Sequence, residues 1–306
     1  MLQHWERNDL IILEIVKQLK EISDKSLILE NEPLCNHTSF KIGGPARVMV
    51  VPDSKDTLAK MMPVLKCTKY TVMGNGSNLL VSDEGYDGVV IKISGTMNSI
   101  SIDGNIITAG AGALLSKIGN AAKLKSLTGF EFASGIPGTV GGAVFMNAGA
   151  YGGEMKDVVI SSSYIDMDGN TGEITHHEFG YRTSVYKNNG KFVTEVKIRL
   201  EHGEIDDIQR KMLDFAKRRS DKQPLEYPSA GSVFKRPEGY FAGKLIEDAG
   251  LKGYTIGGAC VSEKHSGFII NKGGATCKDV LALIDYIKST VYQQFGVELE
   301  QEVRVL

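Results

Sequence analysis

The sequence predicts an α+β protein, with strands and helices gathered in different stretches of chain and not alternating as in a doubly wound sheet. Short runs of alternating apolar and polar residues, broken by Asp-Gly-Asn turns, fill much of residues 36–202. Longer segments with helical periodicity stand at the two ends and once in the middle. Glycine makes up 35 of the 306 residues, above the usual ~7%, and it clusters, as loops closing around something would.

Bulk composition narrows the function. An apolar share of 42% and a charged share of 24% describe a globular chain. A net charge of −2 provides no basic field for nucleic acid, so any phosphate recognition must be local. Cys35, Cys67, Cys260 and Cys277 are scattered, with no CxxC pair and no His pair at zinc spacing, so no metal site is expected. No run approaches the ~18–20 apolar residues of a membrane span. Residues 1–9 hold no apolar core of a secretory signal. The expectation is a cytoplasmic protein with reduced thiols and neither nucleic-acid nor membrane partners.

The elements follow in order. Residues 10–19 read as a helix. From Asn36 to Val51 the text is strand-like, turning at Gly43–Pro45. Tyr70–Met73 and Leu79–Val81 flank a glycine loop, and Val89–Ile93 continues the strand pattern. Hairpins turn at Asp103-Gly104-Asn105 and Asp168-Gly169-Asn170. A helix over 114–125 carries Leu114, Leu115, Ile118, Ala121 and Ala122 on one face. Phe192, Val196, Ile198 and Leu200 alternate with charged residues as in a half-buried strand. Glu204, Asp206 and Asp207 open a helix that Lys217, Arg218 and Arg219 close, as the helix dipole favours. A helix over 277–295 has capping-box spacing at Thr276 and Asp279 and a C′ glycine at Gly296. A last strand is expected over Val297–Val305. The domains so drawn are an N-terminal helical segment, 1–35, a strand-rich region, 36–202, with a boundary near 95, and a C-terminal unit, 203–306.

Two glycine-rich stretches carry the chemistry. The first is Gly74, Asn75, Gly76, Ser77, Asn78 and Leu79, a strand running into a loop with backbone and side-chain donors suited to a pyrophosphate. A polar turn between strands would look the same. The second begins Ser134, Gly135, Ile136, Pro137, Gly138, continues through Val140, Gly141, Gly142 and Ala143, and reaches Asn147, Gly149, Ala150 and Gly153. It is read as extended backbone lying flat on a planar ligand, although a packed turn cluster would also need some of these glycines. A Rossmann motif fails, because Leu79 and Leu115 stand where the third glycine belongs, and no GK[ST] marks a P-loop. The inference is a non-Rossmann FAD site.

Six segments in order resemble one family. They are Asn36–Ala46 (NHTSFKIGGPA), Gly74–Asn78 (GNGSN), Gly135–Ala143 (GIPGTVGGA), Tyr181–Ser184 (YRTS), Ala230–Pro237 (AGSVFKRP) and Glu302–Arg304 (EVR). The chain resembles the UDP-N-acetylenolpyruvoylglucosamine reductases of peptidoglycan precursor synthesis from about residue 33 to its end. That resemblance implies a two-part FAD-binding region of the vanillyl-alcohol-oxidase type and a C-terminal α+β substrate-binding domain. It implies noncovalent FAD, NADPH as reductant, and UDP-N-acetylglucosamine enolpyruvate as substrate, with hydride passing from flavin N5 to the enolpyruvyl β-carbon.

Carried onto matching positions, the resemblance makes Arg182, Ser232 and Glu302 catalytic. Arg182 would grip the carboxylate where charge develops. Glu302 would share that load as a protonated acid, which requires burial. Ser232 would protonate the α-carbon. Lys235 and Lys244, with Arg182, are the candidates for binding substrate. The span from Tyr186 to Phe192 is too short for the tyrosine-bearing insertion of some members, so the chain resembles the subgroup without it. His37 lies outside the glycine stretches, which favours noncovalent flavin. Two other readings stay open at this point. An FAD oxidase of the same fold would consume oxygen, and a UDP-sugar or flavin sensor would bind without turnover.

Overall fold

The computed structural model describes residues 2–306, apart from the side chains of residues 2–9 and of Thr96. It divides into two compact units that interleave along the chain. The first comprises Met1–Glu32, Arg47–Asn75 and Asp87–Lys217; the second comprises Pro33–Ala46, Gly76–Tyr86 and Arg218–Leu306. Where the sequence places a boundary at 203, the division falls inside a helix, after Lys217. Two early segments go with the C-terminal part.

The α-helices are α1 (Leu2–Ile22), α2 (Lys55–Met61), α3 (Leu115–Leu124), α4 (Val140–Met146), α5 (Ile205–Lys222), α6 (Ala242–Asp248) and α7 (Cys277–Phe295). Among the described residues no helix is long and apolar enough to cross a membrane.

In the first unit an antiparallel sheet runs in the order Thr171–Ile174, Val159–Ile165, Phe192–Arg199, Ile106–Gly110 and Ile100–Asp103. Both expected hairpins are here, turning through left-handed Gly104 and Gly169. The inward residues Ile107, Val196 and Ile198 bury with Ile118 of α3 and Val140 and Val144 of α4. A four-stranded sheet, ordered Leu27–Pro33, Pro45–Val51, Tyr86–Lys92 and Tyr70–Met73, lies mainly in this unit, with the last two strands parallel. Leu27–Pro33 is a strand that the reading of 1–35 as helical missed.

In the second unit Ser229–Ser232, Phe268–Asn271, Ala259–Val261 and Thr255–Ile256 form an antiparallel sheet. Val280, Leu283, Ile284, Ile287 and Val291 of α7 bury in its core together with Phe40, Ile42 and Leu80 from the early segments. Thr276 and Asp279 make the expected capping box, and Gly296 ends α7 in the left-handed conformation. The Asp83 carboxylate accepts from the N–H groups of Cys277 and Lys278 at 2.7 and 3.1 Å, so an early segment also caps this helix.

The last expected strand needs correction. Only Arg304–Val305 is strand, paired in parallel with Leu79–Leu80. The reason is a change of partner along the segment. Lys235 N–H donates to the Glu300 carbonyl (2.8 Å) and Glu302 N–H to that of Val233 (2.7 Å), whereas Arg304 and Leu306 donate to Asn78 and Leu80 (3.1 and 2.9 Å).

Candidate active site

The two glycine stretches meet within the first unit. The Asn75 amide donates to the Pro137 carbonyl at 2.7 Å, and a Cβ at Gly74 would lie 2.3 Å from Thr139 Oγ1. Glycine at 74 is therefore required by close approach. Gly76, Ser77, Asn78 and Leu79 continue the loop in the second unit, with Gly76 left-handed and its carbonyl accepting from Ser39 N–H at 3.3 Å.

The second stretch is not the flat ribbon expected from its composition. Thr139 caps the short helix α4, its hydroxyl accepting from Gly142 N–H at 3.4 Å. Val140, Gly141 and Ala143 donate to the carbonyls of Ala113, Ala111 and Thr139 at 2.8–2.9 Å. The first N–H groups of α4 thus point into the protein. Packing accounts for three of the glycines. A Cβ at Gly141 would meet Ala111 Cβ at 2.8 Å, one at Gly149 the Gly153 carbonyl at 2.7 Å, and one at Gly153 the Phe132 ring at 2.6 Å. Gly149 and Ala150 pair with Glu154 and Gly153, and the hairpin between turns through left-handed Tyr151 and Gly152.

Both stretches suit an anionic dinucleotide in their donor chemistry. Residues 74–80 and 134–143 contain no charged side chain. The nearby carboxylate of Glu131 is buried, accepting from Thr128 Oγ1 at 2.6 Å and Gly129 N–H at 2.7 Å. FAD would meet backbone N–H groups, the Ser77 hydroxyl and the amides of Asn75 and Asn78, with no like charge to desolvate.

Asn147 makes its side-chain hydrogen bonds to protein groups. It is left-handed at the C-cap of α4, as Asn tolerates, and 1% exposed. Its amide nitrogen donates to Glu154 Oε2 at 2.9 Å and to the Gly180 carbonyl at 3.0 Å, while its oxygen accepts from Lys156 N–H at 3.0 Å. The Lys156 ammonium beside Glu154, 2.8 Å away, holds that carboxyl below its usual range, and Arg182 adds to the pull. No spacing in the sequence marks Glu154 or Lys156; only the preference of Asn for left-handed helix ends hints at Asn147.

Arg182 is half-buried at the tip of a tight turn in which Gly180 and Thr183 exchange backbone hydrogen bonds of 3.1 and 3.3 Å. Its φ is +57°, a conformation that costs a residue with a Cβ about 1–2 kcal/mol. The guanidinium carbon lies 5.2 Å from the Tyr181 ring centroid. Beyond the turn, Tyr186 is interior. Its hydroxyl lies 2.7 Å from Ser162 Oγ, itself 2.8 Å from His177 Nε2, and burial pushes the phenol up to about 12. Tyr151 stacks on Phe215 of α5, ring centroids 4.5 Å apart, and donates its hydroxyl to the Phe215 carbonyl at 3.2 Å.

The second unit brings Ser232 and Glu302 into one neighbourhood. Ser232 is exposed and follows a bulge: Ser229 pairs with Ile270 and Ser232 with Phe268, so three residues advance against two. Gly231 takes the left-handed conformation, φ +79°, with open space along its Cβ direction. Glu302, half-buried, is tied to the next residue by the 2.7 Å bond to Val233, and its own carbonyl accepts from the Asn78 amide at 3.3 Å. Lys235 pairs with the Glu300 carboxylate, and Lys244, exposed on α6, with Asp248 at 2.5 Å. His265 accepts Gly267 N–H on Nδ1 at 3.1 Å, ordering its own loop, and burial lowers its pKa.

Comparison with known proteins agrees with this layout. Residues 46–175 match the FAD binding domain family, and residues 223–306 match the family described as UDP-N-acetylenolpyruvoylglucosamine reductase, C-terminal domain. The UDP-N-acetylenolpyruvoylglucosamine reductase of Caldanaerobacter subterraneus subsp. tengcongensis is 54% identical, covering 95% of this chain and 98% of its own length. That of Alkaliphilus oremlandii is 52% identical, over 96% and 98%. The crystal structure of the UDP-N-acetylenolpyruvylglucosamine reductase from Thermus caldophilus superposes with a TM-score of 0.79 at 36% identity, covering 92% of this chain and 98% of that one. Its domain pair, its α+β fold and its full-length likeness together make this chain a flavin oxidoreductase that belongs to the UDP-N-acetylenolpyruvoylglucosamine reductase family.

Proposed function

We propose that this chain reduces UDP-N-acetylglucosamine enolpyruvate to UDP-N-acetylmuramate, a cytoplasmic step toward peptidoglycan, with NADPH as reductant. The observation that carries the reading is identity above 50% over nearly the whole length to relatives named for this reduction. FAD, when bound, would supply hydride transfer between NADPH and the enolpyruvyl group. Asn75, Ser77 and Asn78, with backbone N–H groups of the two glycine stretches, would hold its pyrophosphate.

The rest falls to side chains of this protein. Hydride arriving at the β-carbon leaves negative charge that spreads from the α-carbon into the carboxylate, and fixed positive charge is most effective where charge develops. Arg182 supplies it, its planar fork matching a carboxylate and its backbone constrained by the turn. Glu302, as a protonated acid, donates a hydrogen bond to the same developing charge. Ser232 protonates the α-carbon, completing addition across the double bond. Lys235 and Lys244 are candidates to counter the substrate diphosphate, each exchanging its present carboxylate partner for phosphate.

The test is an anaerobic stopped-flow record of the flavin band. NADPH should bleach the purified yellow protein, and UDP-N-acetylglucosamine enolpyruvate should restore the oxidised band rapidly. A colourless protein, or reduced flavin indifferent to that substrate, would overturn the reading.

A further inference from the structure

The turn bearing Arg182 is tied at both ends to the last turn of one helix. On its leading side, Asn147 Nδ2 donates to the Gly180 carbonyl at 3.0 Å. On its trailing side, Ser184 Oγ donates to the Phe145 carbonyl at 3.0 Å. Phe145 and Asn147 both stand at the end of α4, and between the two ties lies the left-handed Arg182. A non-glycine residue keeps such a conformation only where its surroundings over-determine it. Here the Gly180 oxygen is saturated, accepting from Thr183 N–H at 3.3 Å as well as from Asn147. Asn147 is itself immobilised, since its other donor goes to Glu154 and its oxygen takes Lys156 N–H. With both amide donors taken by protein and the residue 1% exposed, Asn147 has no donor left for a ligand.

We propose that Asn147 is a positioning residue for Arg182 and not a flavin contact, with Ser184 as its partner at the other end of the turn. The proposal rests on Arg182 acting on the substrate carboxylate as set out above. Asn147 then governs the second half-reaction, where that carboxylate is present, and leaves the first alone.

The test uses the flavin-loaded protein and Asn147→Gly, which removes the amide while keeping a residue at ease in the left-handed conformation. Flavin content and the visible spectrum should match the parent, and flavin reduction by NADPH should stay within about twofold. Reoxidation by UDP-N-acetylglucosamine enolpyruvate should slow about 10- to 100-fold, as expected when a catalytic group is misplaced by roughly an ångström. In an Arg182→Ala background Asn147→Gly should add almost nothing, because the residue it positions is gone. Loss of flavin on purification, equal slowing of both half-reactions, or additive effects with Arg182→Ala would each overturn the proposal. If Arg182→Ala alone leaves reoxidation untouched, the role given to Arg182 fails first and takes this inference with it. Should Asn147→Gly not fold, Ser184→Ala carries the same test at the other end, and reoxidation unchanged in that variant would likewise overturn it.

Discussion

Arg182 and Ser232 are each placed by a backbone position with positive φ, but the two regions hold it differently. In the first unit the left-handed residue is Arg182 itself, and side chains of the α4 segment and the turn brace it: Asn147 against the Gly180 carbonyl and Ser184 against that of Phe145. In the second unit Gly231 takes the left-handed angle, and Ser232 follows it in a strand held by backbone pairing to Phe268 and, one residue on, to Gly267 and Glu302. Strain therefore resides on Arg182 in one region and is absent from Ser232 in the other, because glycine adopts that angle without a Cβ penalty. A guanidinium that must be aimed gains from an over-determined backbone, whereas a small hydroxyl needs only a well-placed strand.

The contrast can be broken most sharply at its strained end. Arg182→Gly should cut substrate-driven flavin reoxidation by about 10²–10³-fold while folded stability holds or rises by up to about 1 kcal/mol, since the lost charge acts on the transition state and the lost Cβ relieves the turn. Paired kinetic and thermal-melt measurements check it, and a large fall in stability would mean that Arg182 is mainly a structural residue.

A second probe is pH. The segment following Arg182 rests on the buried Tyr186 phenol, raised by burial to about 12 from an ordinary value of 10. The unfolded chain loses that proton first, so stability should be level up to about pH 10 and fall toward pH 12, by about 2–3 kcal/mol in total. Urea melts of the parent and Tyr186→Phe should diverge only in that window. Parallel curves throughout would show that the phenol contributes no such dependence.

The smallest effect is expected at Gly231→Ala. A Cβ there meets nothing within 4 Å, so only the backbone angle resists, at about 1–2 kcal/mol. Reoxidation should be slowed through displacement of Ser232, with NADPH-driven reduction unaffected. Destabilisation well beyond that range would mean that the bulge is held more tightly than its open surroundings indicate.

What sequence could reveal depended on how local the signal was. The hairpin at Asp103–Asn105, α3, α5 and the capped α7 are each written in neighbouring residues, and the structure has them. Helix α4 is not so written. Its Val-Gly-Gly-Ala-Val-Phe-Met text is poor in intrinsic helix preference, and the Thr139 cap and packing against Phe192–Arg199 decide it. The same holds for the split of residues 297–305 between two partners, visible only once Val233 and Asn78 are in place. Asn147 read as one more polar residue in a glycine stretch because the carbonyl it holds lies 33 residues further on. The nearness of Glu302 to Ser232 was equally out of reach, and the roles proposed for them rest on family resemblance and not on spacing.

Residues 300–306 hold Val233–Lys235 on one side and Asn78–Leu80 on the other. Translation makes them after everything they join. The segments of the first unit are all made once Lys217 has left the ribosome, but the second waits, with Phe40, Ile42 and Leu80 in hand, for the segment that begins at Arg218. Closing so long a loop is slow and leaves apolar surface uncovered meanwhile. The order of synthesis therefore completes the segments of one core well before those of the other.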